Sequence, residues 1–141
     1  PIEVVWSFFA TPKNLNELTP KNMNFNIISG RSDDFFAGKI ISYSVNPFKF
    51  WNIKWVTEIT HINKNKLFID EQRFGPYSMW HHEHHFIKNE DGSTTIYDKV
   101  IYKIPFGIIG KIAHKLFIKK RLTEIFNFRK KRINQLFTDY L

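Results

Sequence analysis

From about Ile108 to Phe137 the apolar residues recur at helical spacing, after roughly eighty residues that alternate like strands. An antiparallel sheet with one apolar face needs a cover, and a single long helix supplies it. At about 1.5 Å per residue, such a helix reaches roughly 45 Å, enough to cross a small domain. A twisted sheet gripping one helix leaves space between the two. The order of elements therefore predicts one α+β domain over residues 1–141, with a pocket under the helix.

The strands are read from alternation and turn signals. They run from Phe25 to Ser29, Lys39 to Val45, Trp51 to Ile62, Lys66 to Phe74, Ser78 to Lys88 and Thr94 to Ile104. Pro47 is expected to end the second. Ahead of them, Ile2, Val5, Trp6 and Phe9 fall at helical spacing, and Thr11-Pro12 caps a second short helix reaching Leu18. Within the long helix, Ile109, Ile112, Ala113 and Leu116 form one stripe. Leu122, Ile125, Phe126, Arg129, Ile133, Leu136 and Phe137 form another. The stripes do not align around Lys119 to Arg121, so a bend or local rotation is expected there.

Aromatic residues make up 17% of the chain, which supplies both a core and the rings of an apolar pocket. There is no cysteine, which excludes disulfides and thiolate chemistry and fits a reducing cytoplasm. No apolar run is long enough to span a bilayer, and no signal segment opens the chain. Between Gly107 and Thr138 nine basic residues face a single acid, Glu124, so the whole net charge of +8 resides on the final helix. That face is either a solvated exterior or a surface for an anionic membrane or nucleic acid. Nucleic acid is the poorer fit, because the helix carries no docking motif and the sheet aromatics point inward.

Charge assigns the faces of the last three strands. Glu71, Arg73, Glu83, Lys99 and Lys103 occupy odd positions, so the odd face meets water. The even face carries Phe68, Asp70, Gln72, Trp80, His82, His84, Phe86, Ile96, Asp98, Val100, Tyr102 and Ile104. A three-residue loop with Gly92 in the left-handed region pairs Glu83 with Lys99 outside and His84 with Asp98 inside. The matching loop at Gly75-Pro76-Tyr77 sets Asp70 near His82 and Gln72 near Trp80. Two Asp/His pairs among aromatic rings need partners in an apolar space. Three readings of them stay open: a hydrogen-bonded network that fixes register, a polar patch that orients a ligand, and acid–base or zinc chemistry by His82, His84, Asp70 or Asp98. His61 and His114 stand alone. No glycine-rich phosphate loop, nucleophile elbow or zincin motif is present, and no cofactor or metal is expected.

Pro1 to Phe9 and Thr11 to Leu15 resemble the first two helices of the START-like (SRPBCC) superfamily, whose fold is the helix grip. Phe74-Gly75-Pro76-Tyr77, then Trp80, His82, His84 and Phe86, then Asp98, Tyr102, Pro105, Phe106 and Gly107, resemble a bacterial cyclase/dehydrase-like or cell-division-inhibitor-like subgroup. The resemblance implies a curved sheet of six to seven strands around a long C-terminal helix. It also implies a cavity for a lipid-, sterol- or polyketide-like molecule and, in a minority of members, cyclisation or aromatisation. Such domains open on a strand ahead of the first helix, whereas this chain starts at the helix, so either that strand is missing here or the sheet carries an unprotected edge. Combined with the face assignment, the ligand-contacting set is Tyr43, Trp55, Asp70, Gln72, Trp80, His82, His84, Asp98, Tyr102, Ile112 and Leu116.

Overall fold

The computed structural model describes residues 1–48 and 51–138. After helix α1 (Ile2–Phe9) come two 3-10 turns, Pro12–Leu18 and Lys21–Met23. Six strands follow: β1 Asn26–Ser29, β2 Ile40–Phe48, β3 Trp51–Asn63, β4 Leu67–Phe74, β5 Met79–Lys88 and β6 Thr94–Lys103. They form one antiparallel sheet in chain order. Helix α2 (Gly107–Ala113), a π-helical stretch (His114–Ile118) and α3 (Lys119–Phe137) then run without a break. This is the expected helix grip, and the expected second short helix is of the 3-10 type. Asn14 Nδ2 donates to the Phe8 carbonyl at 2.8 Å, which ties it to the end of α1.

The face assignment holds. Phe68, Trp80, His82, His84 and Phe86 are all buried. His84 pairs with Asp98, Glu83 with Lys99 and Asp70 with His82. Gly92, at φ +82°, occupies the left-handed turn position that sets this register. Pro47 does not end β2. The strand runs on to Phe48, beyond the stretch that pairs with β1, where a missing amide hydrogen breaks no ladder bond. Its carbonyl accepts from Arg121 Nε at 2.8 Å, which ties α3 to the sheet edge.

Two packing regimes lie beneath the sheet. At one end α1 closes a solid aromatic core. Trp6 meets Phe86 edge-on at 5.3 Å and Phe68 at 6.0 Å, and Phe9 meets Phe86 at 5.4 Å. Ile133 and Leu136 of α3 pack against the same cluster. At the other end the interior is hollow.

The π-helical stretch explains why the two apolar stripes of the long helix do not align. Each residue turns an α-helix by about 100°, so one extra residue in the hydrogen-bond ladder swings the upstream face away by that angle. Leu122, Ile125 and Phe126 face the sheet, whereas Ile112 and Leu116 are 56% and 58% exposed. The expectation that Ile112 and Leu116 contact a ligand is therefore overturned. Among the described residues no helix is long and apolar enough to cross a membrane.

Phe86→Ala removes the ring shared by Trp6 and Phe9, and its expected cost is about 3–5 kcal/mol in urea denaturation. Ile108→Ala, on the solvent side of α2, should stay within about 0.5 kcal/mol of the parent.

Candidate functional site

Strand alternation puts Asp70, His82, His84 and Asp98 on the inner face, and α3 lowers Arg129 onto them. His84 sits between two carboxylates, with Nε2 2.6 Å from Asp70 Oδ2 and Nδ1 3.1 Å from Asp98 Oδ1. His82 lies beside it, the ring centroids 3.7 Å apart, and bridges the same two acids at 3.4 and 3.3 Å. Those longer contacts are electrostatic, for His82 Nε2 makes no hydrogen bond in its buried position. Arg129 brings Nε to 3.0 Å from Asp98 Oδ2 and Nη2 to 3.1 Å from His84 Nδ1. Its guanidinium also lies over the Phe9 ring, at 5.1 Å.

His84 Nε2 faces Asp70 Oδ2, and His84 Nδ1 faces both the Arg129 guanidinium, which only donates, and Asp98 Oδ1. Burial alone would push the Asp98 carboxyl up. Its close contacts with His82 and His84 and the charge of Arg129 outweigh that and hold it far below the usual carboxylate range. Asp70 is likewise held low against its burial, by His82, His84 and Arg129. Burial, with His84 close by, pushes the His82 imidazole down, so it stays neutral at pH 7 despite its acidic neighbours.

Asp70, His82, His84 and Arg129 floor a cavity of about 270 Å³ between the sheet and α3. Tyr43, Trp55, Tyr77, Trp80, Ile125 and Phe126 contribute to its walls. Burial pushes the phenols of Tyr43 and Tyr77 up, which keeps both neutral. The indole N–H of Trp55 is buried with no hydrogen-bond partner.

Of the residues expected to contact a ligand, Tyr43, Trp55, Asp70, Trp80, His82 and His84 line the cavity. Asp98 stands behind the histidines. Gln72 turns to the β4–β5 loop instead, where its amide accepts from the Tyr77 N–H and donates to the Tyr77 carbonyl. Gly75 permits this, since a Cβ there would lie 2.4 Å from the Gln72 amide oxygen. Tyr102 is also diverted, its hydroxyl meeting His114 Nε2 at 2.7 Å, so His114 does not stand alone. Arg129 was missing from the expected set. The available signal was a charged residue inside the Leu122, Phe126, Ile133 stripe, where charge requires a buried partner.

No protein-family model and no curated protein matches this chain. Among solved structures, the crystal structure of TTHA0849 from Thermus thermophilus is similar, with a TM-score of 0.63 at 15% sequence identity. The match covers 96% of this chain and 88% of that one. At that identity the likeness establishes the shared helix-grip fold and nothing further.

Arg129→Met should cost about 3–5 kcal/mol at pH 7, because Asp98 keeps its charge and loses its guanidinium. The sign of the pH dependence follows. A carboxyl held low in the folded state stabilises above its unfolded value, near 3.8, and loses that contribution as the pH falls. The gap between variant and parent, followed by urea denaturation, should therefore be widest at neutral pH and narrow progressively as the pH falls below about 4.

Proposed function

We propose that this chain binds a small hydrophobic or amphipathic molecule, lipid-, sterol- or polyketide-like, between the sheet and α3, as a cytoplasmic START-like domain. The observation that carries the reading is the aromatic cavity whose wall includes Trp55, with its unpartnered buried N–H. A buried donor left unpaired costs about 1–3 kcal/mol, and a guest oxygen that accepts from it relieves that cost. The volume lies just under the usual 300–1,000 Å³ of small-molecule sites, which suits a compact guest or one whose tail leaves the cavity. A buried aromatic or aliphatic group contributes up to about 3 kcal/mol, so three such contacts reach the roughly 8 kcal/mol of micromolar binding before ordering costs. The neutral phenols and the charged floor would orient the polar end.

Lipophilic compounds should raise the melting temperature, and native mass spectrometry of freshly purified protein should reveal a retained guest. Ile125→Trp fills the cavity and should abolish both effects while the fold persists. A broad lipophile library that leaves the melting temperature unmoved would sink the reading.

A second reading is supported by the segment leading into α3. Phe106, Ile108, Ile109 and Phe117 are exposed beside Lys111, Lys115, Lys119 and Lys120, and the adjoining Ile104 and Ile118 line the cavity. Exposed apolar groups among lysines suit the interface of an anionic membrane. The protein should sediment with phosphatidylserine vesicles and not with neutral ones, and high salt should release it. Lys115→Gln with Lys119→Gln should weaken binding about thirtyfold, at roughly 1 kcal/mol per charge. Equal affinity for neutral vesicles would overturn this reading.

A further inference from the structure

We propose that Asp70, His82 and His84 form a binding site for a first-row divalent metal ion of the zinc type, with its open coordination position facing the cavity. This goes beyond the ligand reading and does not rest on it.

The geometry has three parts. First, one carboxylate oxygen and one nitrogen from each imidazole come within 4.8 Å of one another on the buried inner face. Asp70 Oδ2 is 2.6 Å from His84 Nε2 and 3.4 Å from His82 Nδ1. Two ligands of a tetrahedral ion with bonds near 2.0–2.1 Å stand about 3.3 Å apart, so the site needs only small side-chain shifts to close on an ion.

Second, an outer shell stands within reach. The other nitrogen of each ring faces a single oxygen, Asp98 Oδ1, at 3.3 Å from His82 and 3.1 Å from His84. Metal-ligating histidines characteristically direct their second nitrogen to a carboxylate, which fixes the tautomer and the ring orientation. With the ion on His84 Nε2, Nδ1 carries the proton and donates to Asp98 Oδ1, and Arg129 keeps Asp98, its partner at 3.0 Å. Asp98 and Arg129 are thus positioning residues.

Third, charge and access agree. Two carboxylates share one guanidinium in this cluster, so a cation improves the local balance. His82 is buried, and the nitrogen it would offer the ion, Nδ1, lies 3.4 Å from Asp70 Oδ2. All three ligand residues line the cavity, so the fourth position opens toward a guest. Two imidazoles with one carboxylate select zinc, cobalt or ferrous iron over magnesium and calcium, which prefer oxygen.

Strand β5 supplies the control for the test. His81 and His85 lie on its opposite face, beside Glu71 and Glu83, and offer an alternative surface for loosely held metal. Chelator-treated protein should bind one equivalent of Zn²⁺ with a dissociation constant below about 1 µM in calorimetry. Co²⁺ should give the visible absorption of a four- or five-coordinate ion. His82→Gln and Asp70→Asn should each weaken Zn²⁺ binding at least about a hundredfold, and Asp98→Asn about 10–100-fold. The double variant His81→Gln with His85→Gln should bind as tightly as the parent. The proposal is overturned by the absence of Zn²⁺ binding, by loss of binding in the outer-face double variant, or by a Co²⁺ spectrum like that of the hydrated ion. If the inner-face variants do not fold, the Co²⁺ spectrum of the outer-face double variant decides between the two faces. Lipophile-induced stabilisation of the chelator-treated protein is read separately, so loss of metal binding leaves the cavity reading intact.

Discussion

The contact between Arg129 and Asp98 holds this structure to one arrangement. Asp98 and Asp70 project into a space otherwise lined by rings and aliphatic groups, where an ionised carboxylate survives only with partners. The histidines of β5 stand between the two acids, and the guanidinium of α3 completes the set. A one-residue slip in either hairpin would send an acid to the wrong face and leave its partners buried without it. The same interaction fixes the angular setting of α3, since Arg129 is the residue of that helix that becomes buried.

Around that anchor the interior divides. Toward α1, Trp6, Phe9, Phe68 and Phe86 fill the space with edge-on ring contacts. Toward the β4–β5 loop, the half-buried Leu122, Ile125 and Phe126 of α3 face Trp55 and Trp80 across open volume. The charged cluster stands at the junction, with Phe68 stacked on His84 at 4.1 Å and Trp80 edge-on to His82 at 6.1 Å. A set of buried, mutually paired ionisable groups thus closes one end of an apolar chamber, which is the arrangement both proposals rest on.

Much of this was legible in the chain. Charges at odd positions marked the outer face of β4, β5 and β6, and Gly92 with the His84/Asp98 complementarity marked the register. Only the tertiary arrangement revealed that Gln72 folds back onto Tyr77 or that Tyr102 reaches His114, because long polar side chains choose among partners that the fold brings within reach. The solvent-facing position of Ile112 and Leu116 depends on the π-helical stretch. Helical periodicity signals it only as two stripes out of phase, without saying which one turns outward.

By itself the sequence determined the element order, the inward face of each late strand and the pairing that joins acid to histidine. Those follow from side-chain periodicity and charge, which act over a few neighbouring residues. The tertiary structure decided that Arg129 closes the cluster, that part of the interior stays hollow and that the first turns of the long helix stand clear of it. These depend on how far a helix stands from a sheet and how it is rotated about its axis, quantities set by the packing of residues distant in the chain.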